Sequence, residues 1–129
     1  MITYKEFNIN PKQKKTGDCS IRALATALDI TWDEALDKLV EMAHKTKYEP
    51  ADRKIMKKIL ESNGFNCIGQ PRKYDNTKFL VRELDEVLHG TYVAVVNVAN
   101  HYTVIKSGTL LDTWNCGYKS AGKVYIKRG

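Results

Sequence analysis

The hydrophobic period of the chain changes near Gly90, and that change limits the fold more than any other feature. Before it, apolar residues recur at helical spacing: Ile21, Leu24, Ala25 and Leu28, then Leu36, Leu39, Val40 and Ala43, then Ile55, Met56, Ile59 and Leu60. Stripes of this kind bury one side of a helix. After it, residues 91–98, 101–106, 109–114 and 123–127 are rich in β-branched and aromatic side chains, which suit half-buried strands. Helices followed by an antiparallel meander make an α+β chain, and 129 residues fit one domain over 1–129.

Local signals place the boundaries. Asp18 stands where it can cap a helix over 19–28. Thr31 and Glu34 have capping-box spacing at the head of the second helix, and Asp52 and Gly64 bracket the third. Residues 1–17 read as an extended arm ending in a loop, 65–69 as a short strand, 70–78 as a polar loop and 79–88 as a short helix.

Composition narrows the function classes. A 43% hydrophobic chain can pack a core and is not a disordered tail. No run reaches membrane-spanning length, and MITYKEFNINPKQKK lacks an apolar signal core, so a cytoplasmic protein with no membrane partner is expected. The three cysteines, Cys19, Cys67 and Cys116, are odd in number and widely spaced, which argues against a disulfide framework. No CxxC or HxxxH pair supplies half a zinc site, so neither metal nor cofactor is expected. The net charge of +6 points to an acidic partner. Nucleic acid is disfavoured, because the lysines are scattered and no binding module is recognisable around Tyr92, Tyr102 and Tyr118.

Two segments carry chemistry. In TGDCSIRALATAL, Cys19 opens a helix whose aliphatic stripe lies nearly opposite it, while Ala23, Thr26 and Ala27 form a small-residue face on its own side. Arg22 and Asp29 fall on a narrow polar flank, so the helix is expected to be buried on two sides. The first turn favours negative charge and so a thiolate, although Asp18 opposes this unless its carboxylate is occupied by the cap or by Arg22. A cysteine in that place serves equally well as buried filler. In HYTVIKSGTLLDTW, Ser107-Gly108 suits a two-residue hairpin turn. Lys106 then pairs with Thr109, Thr103 faces Asp112, and His101 faces Trp114. His101 and Asp112 become diagonal neighbours on one face, within reach of a carboxylate–imidazole hydrogen bond that Trp114 can cover. A one-residue shift in register would turn Asp112 to the other face.

These segments resemble the papain-like cysteine peptidase superfamily. The order Cys19, His101, Asp112 matches its nucleophile, base and orienter, and Asp112-Thr113-Trp114 resembles its Asn-Ser-Trp segment. Gln13 stands six positions before Cys19, at the spacing of the family's oxyanion-hole glutamine; Asn8 and Asn10 are alternatives. The short interval from Cys19 to His101, and Ser20-Ile21 in place of a following tryptophan, make this a minimal version, similar to small papain-like proteins of phages and bacteria. The resemblance implies a nucleophile at a helix N-terminus packed on a C-terminal antiparallel sheet. It also implies a cysteine hydrolase, peptidase or isopeptidase, acting on a protein or peptide in the cytoplasm of a bacterial or phage-infected cell. Cys19 and Gln13 would form the oxyanion hole. Transglutaminase-type or other acyl transfer, and a catalytically silent binding module, are the alternatives. Elsewhere, Cys67 and Trp32 are expected in the core, Cys116 in core or loop near the site, and His44 and His89 at solvated helix ends.

Overall fold

The computed structural model describes residues 1–129. The elements run β1 (Thr3–Glu6), α1 (Cys19–Leu28), α2 (Trp32–Thr46), α3 (Arg53–Ser62), β2 (Asn66–Cys67), a 3₁₀ turn (Val81–Glu86), β3 (Tyr92–Val98), β4 (His101–Lys106), β5 (Thr109–Asp112) and β6 (Val124–Arg128). The fold is α+β. Its sheet has six strands in the order β1-β5-β4-β3-β6-β2.

The central strand β3 is buried along nearly its whole length, as its continuous run Val93-Ala94-Val95-Val96 requires of a strand covered on both faces. On one face, Val95, Val104 and Tyr125 pack against Leu24, Leu39, Met56 and Leu60 from the helices. On the other, Val96, Ile105 and Leu110 pack against Val81, Leu84 and Leu88 around the 3₁₀ turn, with Cys116. α1 lies between the other helices and strands β3 and β4, so its small residues Ala23, Ala25 and Ala27 are buried as well as Leu24. Close approach of that face to the sheet needs side chains of this size.

The expected caps hold at α2 and α3. Thr31 accepts from Glu34 N–H and Glu34 answers to the Thr31 amide, while Asp52 accepts from Lys54 N–H. The hairpin also follows its turn. Ser107 and Gly108 both have positive φ, 44° and 93°, and Lys106 pairs with Thr109, Ile105 with Leu110 and Val104 with Leu111.

Four expectations need correction. The N-terminal arm is not merely extended: β1 joins the sheet edge parallel to β5, Thr3 opposite Thr109, so the sheet is mixed and not confined to the C-terminal half. The short helix expected over 79–88 is shorter, a 3₁₀ helix over Val81–Glu86. Cys67, expected in the core, is exposed on the two-residue edge strand β2. Arg22 lies buried rather than on a polar flank. No helix is long and apolar enough to cross a membrane.

Candidate active site

Cys19 is the first residue of α1, whose start is set by an unusual use of Asp18. Asp18 occupies the N-cap position but makes no side-chain cap bond, contrary to the sequence expectation. Its carboxylate faces away instead. Oδ2 accepts from Asn10 Nδ2 at 2.8 Å and from Trp32 Nε1 at 2.9 Å, and Oδ1 lies 3.2 Å from Arg22 Nε. Asp18 and Arg22 are both buried, so each charge depends on the other. The negative charge next to Cys19 is thereby neutralised. The first-turn amides remain uncapped by Asp18, which leaves the positive end of the helix facing the thiol.

His101 is the first residue of β4, and Asp112 the last of β5. The register that the turn imposes brings them onto one face. His101 Nε2 and Asp112 Oδ2 meet at 2.6 Å, a distance typical of charge-assisted bonds. Asp112 is fixed further by the backbone N–H of Thr113, 2.7 Å from Oδ1, and by the Cys116 thiol, 3.7 Å from Oδ2. Trp114 lies over the pair, its ring centroid 5.2 Å from that of His101 at a tilt of 45°. Nε2 being engaged by the carboxylate, Nδ1 is the ring nitrogen left for another partner.

Cys19 is the thiol whose titration the ring governs. Hydrogen bonding with the His101 ring is the main influence on the Cys19 thiol and lowers its pKa; burial opposes this, and the Tyr102 backbone amide and the Arg22 charge add to the lowering. Burial pushes His101 down, but hydrogen bonds to Asp112, Cys116 and Cys19 outweigh it and raise the imidazole from 6.5 to about 11. Burial likewise pushes Asp112 up, and the His101 hydrogen bond and charge more than reverse it, leaving the carboxyl below its ordinary value. A lowered thiol against a raised imidazole is the signature of a thiolate–imidazolium pair.

The structure therefore brings Cys19, His101, Asp112 and Trp114 together. Gln13 is placed differently. Its residue is exposed at φ 55°, and its Nε2 donates to the carbonyls of Asn8 at 3.2 Å and Asn10 at 2.9 Å. Both amide donors are thus taken up within its own loop. Asn8 and Asn10 are no freer: Asn8 Nδ2 bonds the Lys14 carbonyl and Asn10 Nδ2 bonds Asp18. Three supporting contacts were not legible in the sequence. Asn10 and Trp32 hold Asp18, and Arg22 reaches from Asp18 toward Thr113 Oγ1, 3.5 Å away. The only hint was the close spacing of Asp18 and Arg22 on one helix.

Cys19, Ala23 and Thr26 of α1 face Tyr102 and Asp112 across a cavity of about 10 Å³, room for one water at most. A substrate chain must therefore lie on the open surfaces beside the thiol. His101, Asp112 and Cys116 place their ligating atoms within 4.8 Å of one another, the chemistry of a metal site. The imidazole and carboxylate, however, face each other at hydrogen-bonding distance, which leaves no room for an ion between them. Comparison of the chain with protein families, with curated proteins and with solved structures finds no match.

Proposed function

We propose that the protein is a papain-like cysteine hydrolase that cleaves an amide bond in a protein or peptide, with Cys19 as nucleophile, His101 as base and acid, and Asp112 as orienter. The observation that carries this is the single imidazole held by Asp112 at 2.6 Å through Nε2 while it lowers the pKa of a thiol at a helix N-terminus. The chain order and the helix-on-sheet placement agree with the family pattern.

The Cys19 thiolate attacks the carbonyl carbon. A C–S bond forms and the carbonyl electron pair moves to oxygen. The backbone N–H of Cys19, at the uncapped start of α1, stabilises that oxyanion. Collapse of the tetrahedral intermediate breaks the C–N bond, and the leaving nitrogen takes its proton from the His101 imidazolium. Water then gives a proton to His101 and attacks the thioester carbonyl; the C–S bond breaks, releasing the carboxylic acid and restoring the thiolate–imidazolium pair. Asp112 keeps the imidazole in one orientation throughout and stabilises its charged form. Gln13 enters this scheme only if its loop rearranges.

The pH dependence of Cys19 alkylation by iodoacetamide tests the proposal. The reaction should titrate well below about 8.5, the free-cysteine value. His101→Ala should move the midpoint back up. A Cys19 that alkylates no faster than a model thiol at neutral pH would remove the basis for the assignment. Hydrolysis of fluorogenic peptidyl amides, abolished by Cys19→Ala, supplies the second measurement.

A further inference from the structure

The cavity at Cys19 is too small to hold a substrate, but a basin of about 570 Å³ opens close by. It lies between the start of α3 and the ends of β3 and β6. Its rim carries Arg53, Lys54, Lys57, Lys78 and Lys123 and no acidic side chain. All five are exposed and none takes part in an ion pair; the molecule's five ion pairs all engage other basic groups. Asn97 also lines the basin. The residue is nine-tenths buried, and its side-chain amide, which bonds no other group of the protein, opens onto the basin. Cations concentrated on one concave wall attract and hold an anionic chain.

The sheet ties this basin to the nucleophile. Val98, on the basin wall, is the register partner of His101, and Asn97 is that of Tyr102. Directly opposed residues lie roughly 5 Å apart, so the basin begins one strand spacing from the His101 backbone. Tyr102 in turn lines the small cavity at Cys19.

Resting on the hydrolase proposal, we infer that the basin binds an acidic segment flanking the scissile bond, so that the substrates are proteins or peptides with aspartate and glutamate on one side of the cleavage point. The wall favours a carboxylate-bearing peptide over nucleic acid. Its one aromatic residue, Tyr125, is buried, whereas single-stranded nucleic acid needs exposed rings for base stacking.

Peptides bearing a central chloroacetamide, with a run of glutamates on one flank and alanines on the other, test this on the whole protein at low ionic strength. One flank orientation should label Cys19 about tenfold faster than an all-alanine peptide, the advantage expected when a few exposed charge pairs act together. The advantage should vanish in Lys57→Glu/Lys123→Glu. It should persist in Lys38→Glu/Lys127→Glu, an equal change of charge on a second basic groove at the opposite end of the sheet. Equal labelling by glutamate and alanine peptides, or equal loss in both double variants, overturns the inference. So does stronger protection of Cys19 by oligothymidylate than by a glutamate peptide of the same charge. Iodoacetamide reports the state of Cys19 independently of the basin. If it finds an unactivated thiol, the hydrolase proposal fails. Fluorescence anisotropy of the glutamate peptide without its electrophile then decides the basin: binding weakened only by Lys57→Glu/Lys123→Glu upholds it, and no binding overturns it.

Discussion

His101 keeps its two ring nitrogens in different company, and that asymmetry decides what neighbouring substitutions do. Nε2 is held by Asp112, so the carboxylate sets both the angle of the ring and the charge it prefers. Asp112→Ala should release the ring and lower its pKa, cutting Cys19 alkylation at pH 7 by roughly ten- to thirtyfold, the fall in thiolate fraction as the thiol returns toward about 8.5. Stopped-flow alkylation against pH would show the thiol midpoint moving up at the same time. Asp18 acts on stability instead. Asp18→Ala strands the buried Arg22 charge and should cost about 3–5 kcal/mol. Asp18→Leu with Arg22→Met should recover most of this, as urea unfolding of the single and double variants would show. At this scale the sequence was legible where backbone register dictates geometry. A two-residue turn fixes which face Asp112 occupies, so His101, Asp112 and Trp114 could be grouped. It was illegible where a side chain chooses among distant partners. Asp18 forgoes its cap, and beside the neighbouring Arg22, which the sequence allowed, it takes Asn10 and Trp32, while Gln13 turns back into its own loop.

Elements with a strong period or a paired signal emerged at nearly their true lengths. α1, α2 and α3 carry apolar stripes, and β3, β4 and β5 carry β-branched runs that pair with their sequence neighbours, whereas β6 does not extend the expected meander but returns to pair with β3. β1 escaped because Thr3–Glu6 is mostly exposed and shows no buried alternation, and its partner β5 is remote in sequence. Cys67 misled because one alternating residue beside Phe65 does not reveal that β2 is an edge strand. The β4–β5 turn provides a test at this level. Gly108 has φ 93° and open space where a Cβ would stand, so Gly108→Ala meets backbone strain rather than a clash. It should cost about 1–2 kcal/mol, the penalty for an ordinary residue in left-handed geometry. Folded Gly108→Ala protein should keep its Cys19 titration midpoint, because the pairing on either side of the turn is unchanged.

For the molecule as a whole, the site couples stability to pH in a definite direction. Asp112 has a lowered pKa, so its contribution is present above about 3.8 and is lost as pH falls through the folded value. Cys19, also lowered, contributes fully above its ordinary value of 9.0 and loses that contribution as pH falls through its folded pKa. His101 runs the other way. Its contribution is complete below 6.5 and disappears as pH rises through about 11. Asp112→Asn should therefore flatten both the acid limb and the alkaline limb of a stability profile followed by chemical denaturation. Unchanged limbs would mean that the imidazole and carboxylate do not share a proton balance with folding.

The parallel pairing of β1 with β5 has a further consequence for how the molecule comes into being. Thr3 must wait for Thr109, and the Phe7 amide bonds the Asp112 carbonyl at 2.9 Å. During synthesis the earliest strand has nowhere to dock until the far hairpin has emerged from the ribosome. Cys19 is then an ordinary thiol for most of the chain's elongation, since the imidazole and carboxylate that sensitise it arrive with the same late hairpin. The β4–β5 hairpin thus supplies both the partner strand for β1 and the His101–Asp112 pair, so a chain that ends before it has neither.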